Sequence, residues 1–393
     1  MIARMYAESL AAQLSYYPVV ALLGARQTGK TTLLRELLPN YSYVTLDLPS
    51  EAALAETDPE TFFSRHPAPV IIDEVQYAPG LFRHLKAKVD LDRHHMGQYV
   101  LTGSQKFSLM KELADSLAGR VSLLTLEGLS WSEVKPTGAE LNGYLARGGF
   151  PELWRVPELP LSGWFAGYVA TYLERDVRQL LNVGDLRDFE RFVRVLATRH
   201  GHQLDLTAMG SAAGVTGRTA KAWLSVLEAS NQIVLLEPWY GNVGKRIVKT
   251  PKVFFTDSGL VCWLLGVSPE QLDRSPFLGA LWEGVVLAEL RRVSQARQLN
   301  RTFWYYRDNT GTEVDFLVLG DGARLIEAKW TAQPGADDLR GLNRLEALAR
   351  NSDNPELVRL TKTVVGRPVS PYPFQDCQVL DLDGIGLLLA SVQ

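Results

Sequence analysis

Residues 24–31, Gly24-Ala25-Arg26-Gln27-Thr28-Gly29-Lys30-Thr31, set a glycine-bounded loop in front of a lysine and a hydroxyl. Glycine lets the backbone curl until successive N–H groups converge, a geometry that suits phosphate oxygens. Lys30 can then reach the β- and γ-phosphates, and the Thr31 hydroxyl can take a place on Mg²⁺. The stretch Gly24 to Thr32 is therefore the expected nucleotide cradle, with ATP and Mg²⁺ as the expected cofactors.

Val70-Ile71-Ile72-Asp73-Glu74 is an apolar run that ends in two carboxylates. Asp73 suits the water shell of Mg²⁺ and Glu74 suits polarisation of an attacking water, so the pair points to hydrolysis. Tyr99–Gln105 is another apolar run closing on small polar residues. If this strand lies between the other two, Ser104 or Gln105 sits beside the γ-phosphate and positions the water.

A second constellation lies near the C-terminus. Glu313-x-Asp315 opens one apolar run and Glu327-x-Lys329 closes the next. Strand residues two apart share a face, so each pair is presented together. Asp315 and Glu327 as Mg²⁺ ligands, Lys329 orienting or deprotonating a water, and Glu283 from a preceding helix make the pattern of a PD-(D/E)xK nuclease site.

The elements that must position these residues are legible as well. Residues 1–155 alternate short apolar strands with helical stretches, which predicts a parallel sheet of the P-loop kind. Gly148-Gly149-Phe150-Pro151 marks a boundary, and residues 156–185 read as a helical connector. Residues 186–270 read as helix, helix, short turn, helix and two strands, the order of a winged helix. Thr216 is placed to cap the helix that carries Arg218 and Lys221, and Lys245, Arg246, Lys249 and Lys252 cluster on the following hairpin. Basic charge on both elements suits phosphate contacts, so DNA is the expected partner; a lid or packing unit with solvated lysines is the alternative. Residues 275–393 read as an α/β nuclease-like domain.

Composition bounds this without deciding it. The chain has 393 residues and a formal net charge of −3, so any case for nucleic acid must be local. Cys262 and Cys377 are too few for a disulfide framework or a thiolate metal site. His94-His95 and His200-x-His202 lack a companion ligand at metal spacing, and solvated or packing roles are expected. No apolar run is long enough to span a membrane, and residues 1–14 do not read as a signal peptide, so a soluble cytoplasmic protein is expected.

With these motifs in place, the chain resembles a prokaryotic family of AAA-type P-loop ATPases whose C-terminal domain of unknown function has a PD-(D/E)xK nuclease-like core. The resemblance runs through residues 24–34, 71–76, 101–104, 117–121, 148–152, 172–177, 249–260, 313–316 and 327–329. It implies an ATP-binding core, a winged-helix middle and a nuclease-like end, with no defined substrate. It also singles out Arg120 and Arg175 as candidate arginine fingers, in cis or from a neighbouring subunit of a homo-oligomer; a structural salt bridge is the alternative. Three functions stay open: an ATP-driven nuclease acting on DNA, an ATP-dependent switch with a silent nuclease-like domain, and an ATPase that remodels protein partners.

Overall fold

The computed structural model describes residues 2–104, 116–173, 186–240, 249–350, 355–357 and 359–390. The first sheet is built from β1 (Val19–Leu23), β2 (Ser42–Thr45), β3 (Val70–Asp73), β4 (Tyr99–Gly103) and β5 (Val121–Thr125). Its order is β2-β3-β4-β1-β5 and every pairing is parallel. The strand that leads into Ser104 thus lies between the phosphate-loop strand and the Asp73 strand, as expected. All five residues of β1 are buried, as a central parallel strand covered on both faces requires. Its alternation assigns the layers: Val19, Ala21 and Leu23 pack with Phe62 and Phe82, whereas Val20 and Leu22 pack with Tyr6, Leu33 and Leu34.

The middle region carries helices Leu186–Ala197, Leu206–Ala213 and Gly217–Ala229 and a small antiparallel sheet. That sheet comprises β6 (His202–Gln203), β7 (Ile233–Leu236) and β8 (Lys252–Phe255), in the order β6-β8-β7. Thr216 does cap its helix, accepting from the Thr219 N–H at 3.1 Å. Gly214, at φ 77°, ends the preceding helix in the left-handed conformation that glycine adopts without cost.

The C-terminal sheet is mixed, in the order β13-β14-β12-β11-β10-β9. Its strands are β9 (Thr302–Arg307), β10 (Glu313–Leu319), β11 (Ala323–Ala328), β12 (Leu360–Val365), β13 (Tyr372–Phe374) and β14 (Cys377–Leu380). The long helix Leu278–Ala296 covers one face through Trp282 and Val285 against Phe316 and Ile326; helix Arg340–Arg350 covers the other through Leu342 and Leu345 against Leu317 and Leu325. The outer edge of β9 is capped by the middle region: Trp239 N–H donates to the Tyr305 carbonyl at 2.8 Å, and Tyr305 N–H to the Glu237 carbonyl at 3.1 Å. That docking brings β8 against the start of β10.

Candidate functional sites

The phosphate loop leaves β1 through Gly24, at φ 152°, where a Cβ would lie 2.1 Å from the Leu126 carbonyl oxygen. Only glycine fits there. Gly29, at φ 89°, turns the chain into helix Lys30–Leu37, and Gln27 is also left-handed at φ 60°. Lys30 Nζ donates to the Gly24 and Ala25 carbonyls at 2.9 Å each, and Thr28 Oγ1 donates to Ala25 at 3.0 Å. Arg26 Nη2 reaches the Tyr77 hydroxyl at 3.3 Å.

Thr31 Oγ1 lies 3.0 and 3.2 Å from the two oxygens of Asp73. Asp73 is buried and also accepts from the Tyr43 hydroxyl at 2.7 Å and from Thr102. Burial and the Asp73 carboxylate push the Tyr43 phenol above its ordinary value, so it remains a donor. A hydroxyl beside a held carboxylate fits Mg²⁺, which takes hard oxygens and few protein ligands.

Glu74 sits in the left-handed region at φ 56°, ψ 47°. A non-glycine residue held there stores strain, which collects at sites whose surroundings over-determine them. Its N–H donates to Thr102 Oγ1 at 3.1 Å, and its carboxylate accepts from Ser104 Oγ at 3.2 Å and from Gln76. Ser104 therefore meets Glu74 directly, at the same ends of the strands as the loop. Gln105 lies outside the described residues.

Beside the loop a cleft of about 660 Å³ is lined by Gly29, Thr32 and Leu33 together with Arg4, Pro151 and Trp154. Arg4 gave no signal in the sequence. It donates to the Thr28 carbonyl at 2.8 Å, to the Glu127 carbonyl at 2.8 Å and to Glu133 at 3.1 Å, so it braces the loop from behind.

The two arginine candidates fare differently. Arg120 directly precedes β5, and β5 runs parallel to β1 with Val121 opposite Val19. It therefore lies at the end of the sheet away from the phosphate loop, paired with Asp90 at 2.6 and 3.0 Å. An in-cis finger role is corrected by that position: five strand residues of about 3.3 Å each separate it from the loop. Arg175 lies outside the described residues.

In the C-terminal domain the structure brings Glu283, Glu313, Asp315 and Glu327 together, with an addition the sequence did not suggest. Lys252, expected on a solvated basic hairpin, is buried with a side chain only 4% exposed. Its Nζ lies 2.7 Å from Glu313, 3.5 Å from Glu283 and 3.9 Å from Asp315, and 5.4 Å from the centre of the Tyr305 ring. The expectation for Lys252 as a DNA-facing lysine is thereby overturned. Asp315 Oδ2 accepts from the Ala328 N–H at 3.0 Å, and Lys329 pairs with Glu327 at 2.8 Å. The β9–β10 register shifts between Val314 and Leu317, the stretch that carries Asp315; such irregularities re-aim side chains.

Burial and the Asp315 carboxylate push Glu283 up to about 8, and the same two causes push Glu327 up to about 8. Burial pulls the Lys252 ammonium down, but Glu283, Asp315 and Glu313 outweigh it and hold its pKa above the usual lysine value. Among the described residues no three His, Cys, Asp or Glu side chains are arranged to hold a metal ion. In this arrangement Lys252 faces Glu283 and Asp315, and Lys329 faces Glu327, of the set expected to bind Mg²⁺.

On the middle region, Arg218, Lys221 and Lys249 are exposed, while Lys245 and Arg246 lie outside the described residues. His200 is a packing residue, with Nδ1 accepting from the Phe255 N–H at 3.1 Å.

Two motifs of the resemblance turn out to be halves of one contact. Gly148, at φ 75°, would carry a Cβ 2.2 Å from Asp257, and Gly259 one 2.5 Å from Arg147. Asp257 accepts from the Gly149 N–H at 2.7 Å and from the Leu260 N–H at 2.9 Å, capping helix Ser258–Leu265. A buried network missed in the sequence lies alongside: Glu289 accepts from Tyr144, Arg292 and the Trp131 N–H, and Arg291 pairs with Glu127. Apart from the Glu289–Arg292 pair on one helix, its partners are far apart in the chain, so no local pattern announces it.

The family described as "AAA domain" matches residues 16–135, and two domains of unknown function, DUF8612 and DUF4143, match residues 138–271 and 278–381. Among solved structures, the Walker-type ATPase of Pyrococcus abyssi is similar at 16% identity and a TM-score of 0.46, over 67% of this chain and 96% of that one. The uncharacterized proteins Rv2008c of Mycobacterium tuberculosis and Mb2031c of Mycobacterium bovis are each 34% identical over 322 residues, spanning 81% of this chain and 71% of theirs. No helix is long and apolar enough to cross a membrane among the described residues. The chain belongs to the same family as these two mycobacterial proteins, and its N-terminal part is an AAA-type P-loop ATPase domain.

Proposed function

We propose that the protein binds ATP in the Gly24–Thr32 loop and hydrolyses it with Glu74 as the base. The observation that carries this reading is the meeting of Glu74, Ser104 and the Thr31–Asp73 pair at one end of β1, β3 and β4. Lys30 exchanges its bonds to the loop carbonyls for phosphate oxygens. The adjoining cleft receives the nucleoside against Trp154 and Pro151. Thr31 and Asp73 would hold Mg²⁺, which neutralises phosphate charge when bound. Glu74, aided by Ser104, takes a proton from water as the water oxygen bonds to the γ-phosphorus and the bridging P–O bond breaks, releasing ADP and phosphate.

Arg120 is out of reach in cis, so it enters this reading as a group offered to a neighbouring copy of a homo-oligomer, with Arg175 as the alternative finger. DNA is the proposed partner of the middle region. A winged-helix reading is supported there by the helix order, the three-stranded sheet and the exposed Arg218 and Lys221. For the C-terminal domain two readings compete: a Mg²⁺-dependent PD-(D/E)xK nuclease, and a nuclease-like fold that binds without cutting. The seat of Lys252 among the carboxylates favours the second in this conformation.

Glu74→Gln tests the central claim. Nucleotide binding is expected to survive while turnover falls by about 100-fold to 10,000-fold, the usual contribution of a positioned base. Turnover within a factor of two of wild type would overturn it.

A further inference from the structure

The acidic cluster of the C-terminal domain presents more carboxylate than its surface needs explain. Glu283 comes from the long helix, Glu313 and Asp315 from β10, and Glu327 from β11. Glu327 is 9% exposed, and its Oε2 makes no hydrogen bond. Glu283 Oε2 is likewise buried without a hydrogen bond. Oxygens left in this state, with like charges beside them, call for a cation. The chain supplies two: Lys329 pairs with Glu327 at 2.8 Å, and Lys252 serves the other three. Lys252 arrives from a different part of the molecule, on β8 of the middle region. Its ammonium stands within 4 Å of three of these side chains. The Tyr305 ring faces it from β9, and Tyr305 is itself tied to Gln203 at 3.2 Å and to the Thr250 carbonyl, so the lysine is held in a box.

We propose that Lys252 is the resident cation of Glu283, Glu313 and Asp315, beside the Glu327–Lys329 pair, and that while it is seated the cluster takes no divalent metal. The inference rests on reading Asp315, Glu327 and Lys329 as a nuclease-type constellation. Two facts support exclusion over sharing. A divalent ion bonds carboxylate oxygens at about 2.0–2.6 Å, and the space between Glu283, Glu313 and Asp315 already contains Nζ. A second positive centre placed there would also face the ammonium at contact distance, in surroundings too buried for water to screen it. The domain would then be closed to metal-dependent cleavage by a residue of the module that docks on it. Opening it requires moving β8, not acquiring new ligands.

Mn²⁺ binding to the full-length protein without nucleotide, followed by electron paramagnetic resonance, tests this. Wild type is expected to show no Mn²⁺ site that Asp315→Asn removes. Lys252→Met is expected to gain one at least tenfold tighter than any wild-type binding, and Lys252→Met/Asp315→Asn to lose it again. Because Lys252→Met strips the charge balance and could unfold the domain, Lys252→Met/Glu313→Gln is the companion variant. It removes one charge of each sign and keeps Glu283, Asp315 and Glu327. If wild type already holds Mn²⁺ at an Asp315-dependent site that lysine removal does not change, the lysine is no block, although the metal-site reading stands. If folded Lys252 variants gain no site, the proposal fails and the nuclease-type reading of the cluster fails with it.

Discussion

Arg4 offers the sharpest test of how the phosphate loop is held. Its guanidinium donates to the carbonyls of Thr28 and Glu127 and pairs with Glu133, whose side chain is only 3% exposed. Removing one member of a buried pair costs about 3–5 kcal/mol because the other is left uncompensated. Glu133 keeps two backbone donors, Met5 N–H at 2.7 Å and Ser130 N–H at 2.8 Å, which lowers that figure. We therefore expect Arg4→Ala to lose about 3 kcal/mol and Arg4→Lys about 1–2 kcal/mol, since lysine retains the charge but cannot fork to both carbonyls. The loop would also be less ordered before nucleotide arrives. A loss of about 1.4 kcal/mol of preorganisation weakens nucleotide binding tenfold. Urea unfolding and titration with a fluorescent ATP analogue measure the two effects. Glu133→Gln separates them: it removes the ion pair yet leaves the bond to Thr28, so stability should fall while nucleotide affinity holds. An Arg4→Ala protein with unchanged urea midpoint and nucleotide affinity within twofold of wild type would refute the bracing role.

The other expectations concern packing and pH. Gly148→Ala must place a methyl group on Asp257 at a φ of 75°, so a loss of at least about 2 kcal/mol is expected in urea unfolding; an unchanged midpoint would mean that Asp257 is not fixed where it stands. Burial lowers the His200 pKa to about 3 from an ordinary 6.5. The unfolded chain therefore takes up a proton that the folded one refuses. That stability is intact above pH 6.5 and is lost as pH falls toward 3. By pH 5 about 2 kcal/mol has been lost. Comparing His200→Asn with wild type between pH 5 and 7 isolates the effect from Glu283 and Glu327, whose raised values act in the opposite direction, and equal slopes would count against a neutral buried imidazole.

Much of this was legible in the chain because it is local. Val19–Leu23 is apolar throughout, so a doubly covered strand follows, and the glycines and Lys30 after it identify the loop. Glu313-x-Asp315 opens a strand, Glu313–Leu319, and Thr216 caps its helix, both as the sequence led one to expect. What escaped is long-range. Lys252 sits in a basic run, and charge runs are normally solvated, yet the docking of residues 237–239 on β9 turns that strand inward. Arg120 lies in a motif that says nothing about which end of the sheet it occupies. Arg4 and the Glu127–Arg291 pair join residues whose approach depends on the assembled domains. A local pattern reports which face a residue takes on its own element, not which element will cover it.

The long helix Leu278–Ala296 is where these long-range contacts meet. Glu283 near its start belongs to the acidic cluster, and Arg291 and Arg292, about 12 Å further along at 1.5 Å per residue, belong to the network under the ATPase domain. Glu127, the partner of Arg291, directly follows Leu126, whose carbonyl oxygen limits Gly24. Desolvated ion pairs tolerate little misplacement, because each charge left without its partner is costly. Phosphate loop, residues 126–127 and long helix are therefore held as one unit, with Tyr144 and Glu289 closing it. Lys252 comes from β8, and Thr256 and Asp257 just after that strand bond to Arg292 and Gly149 of that unit. Lys252 reaches Glu283 from β8, which pairs with β6 and β7. The two signs of the acidic cluster thus come from different parts of the chain, Glu283 from the long helix and Lys252 from β8, joined through one buried core.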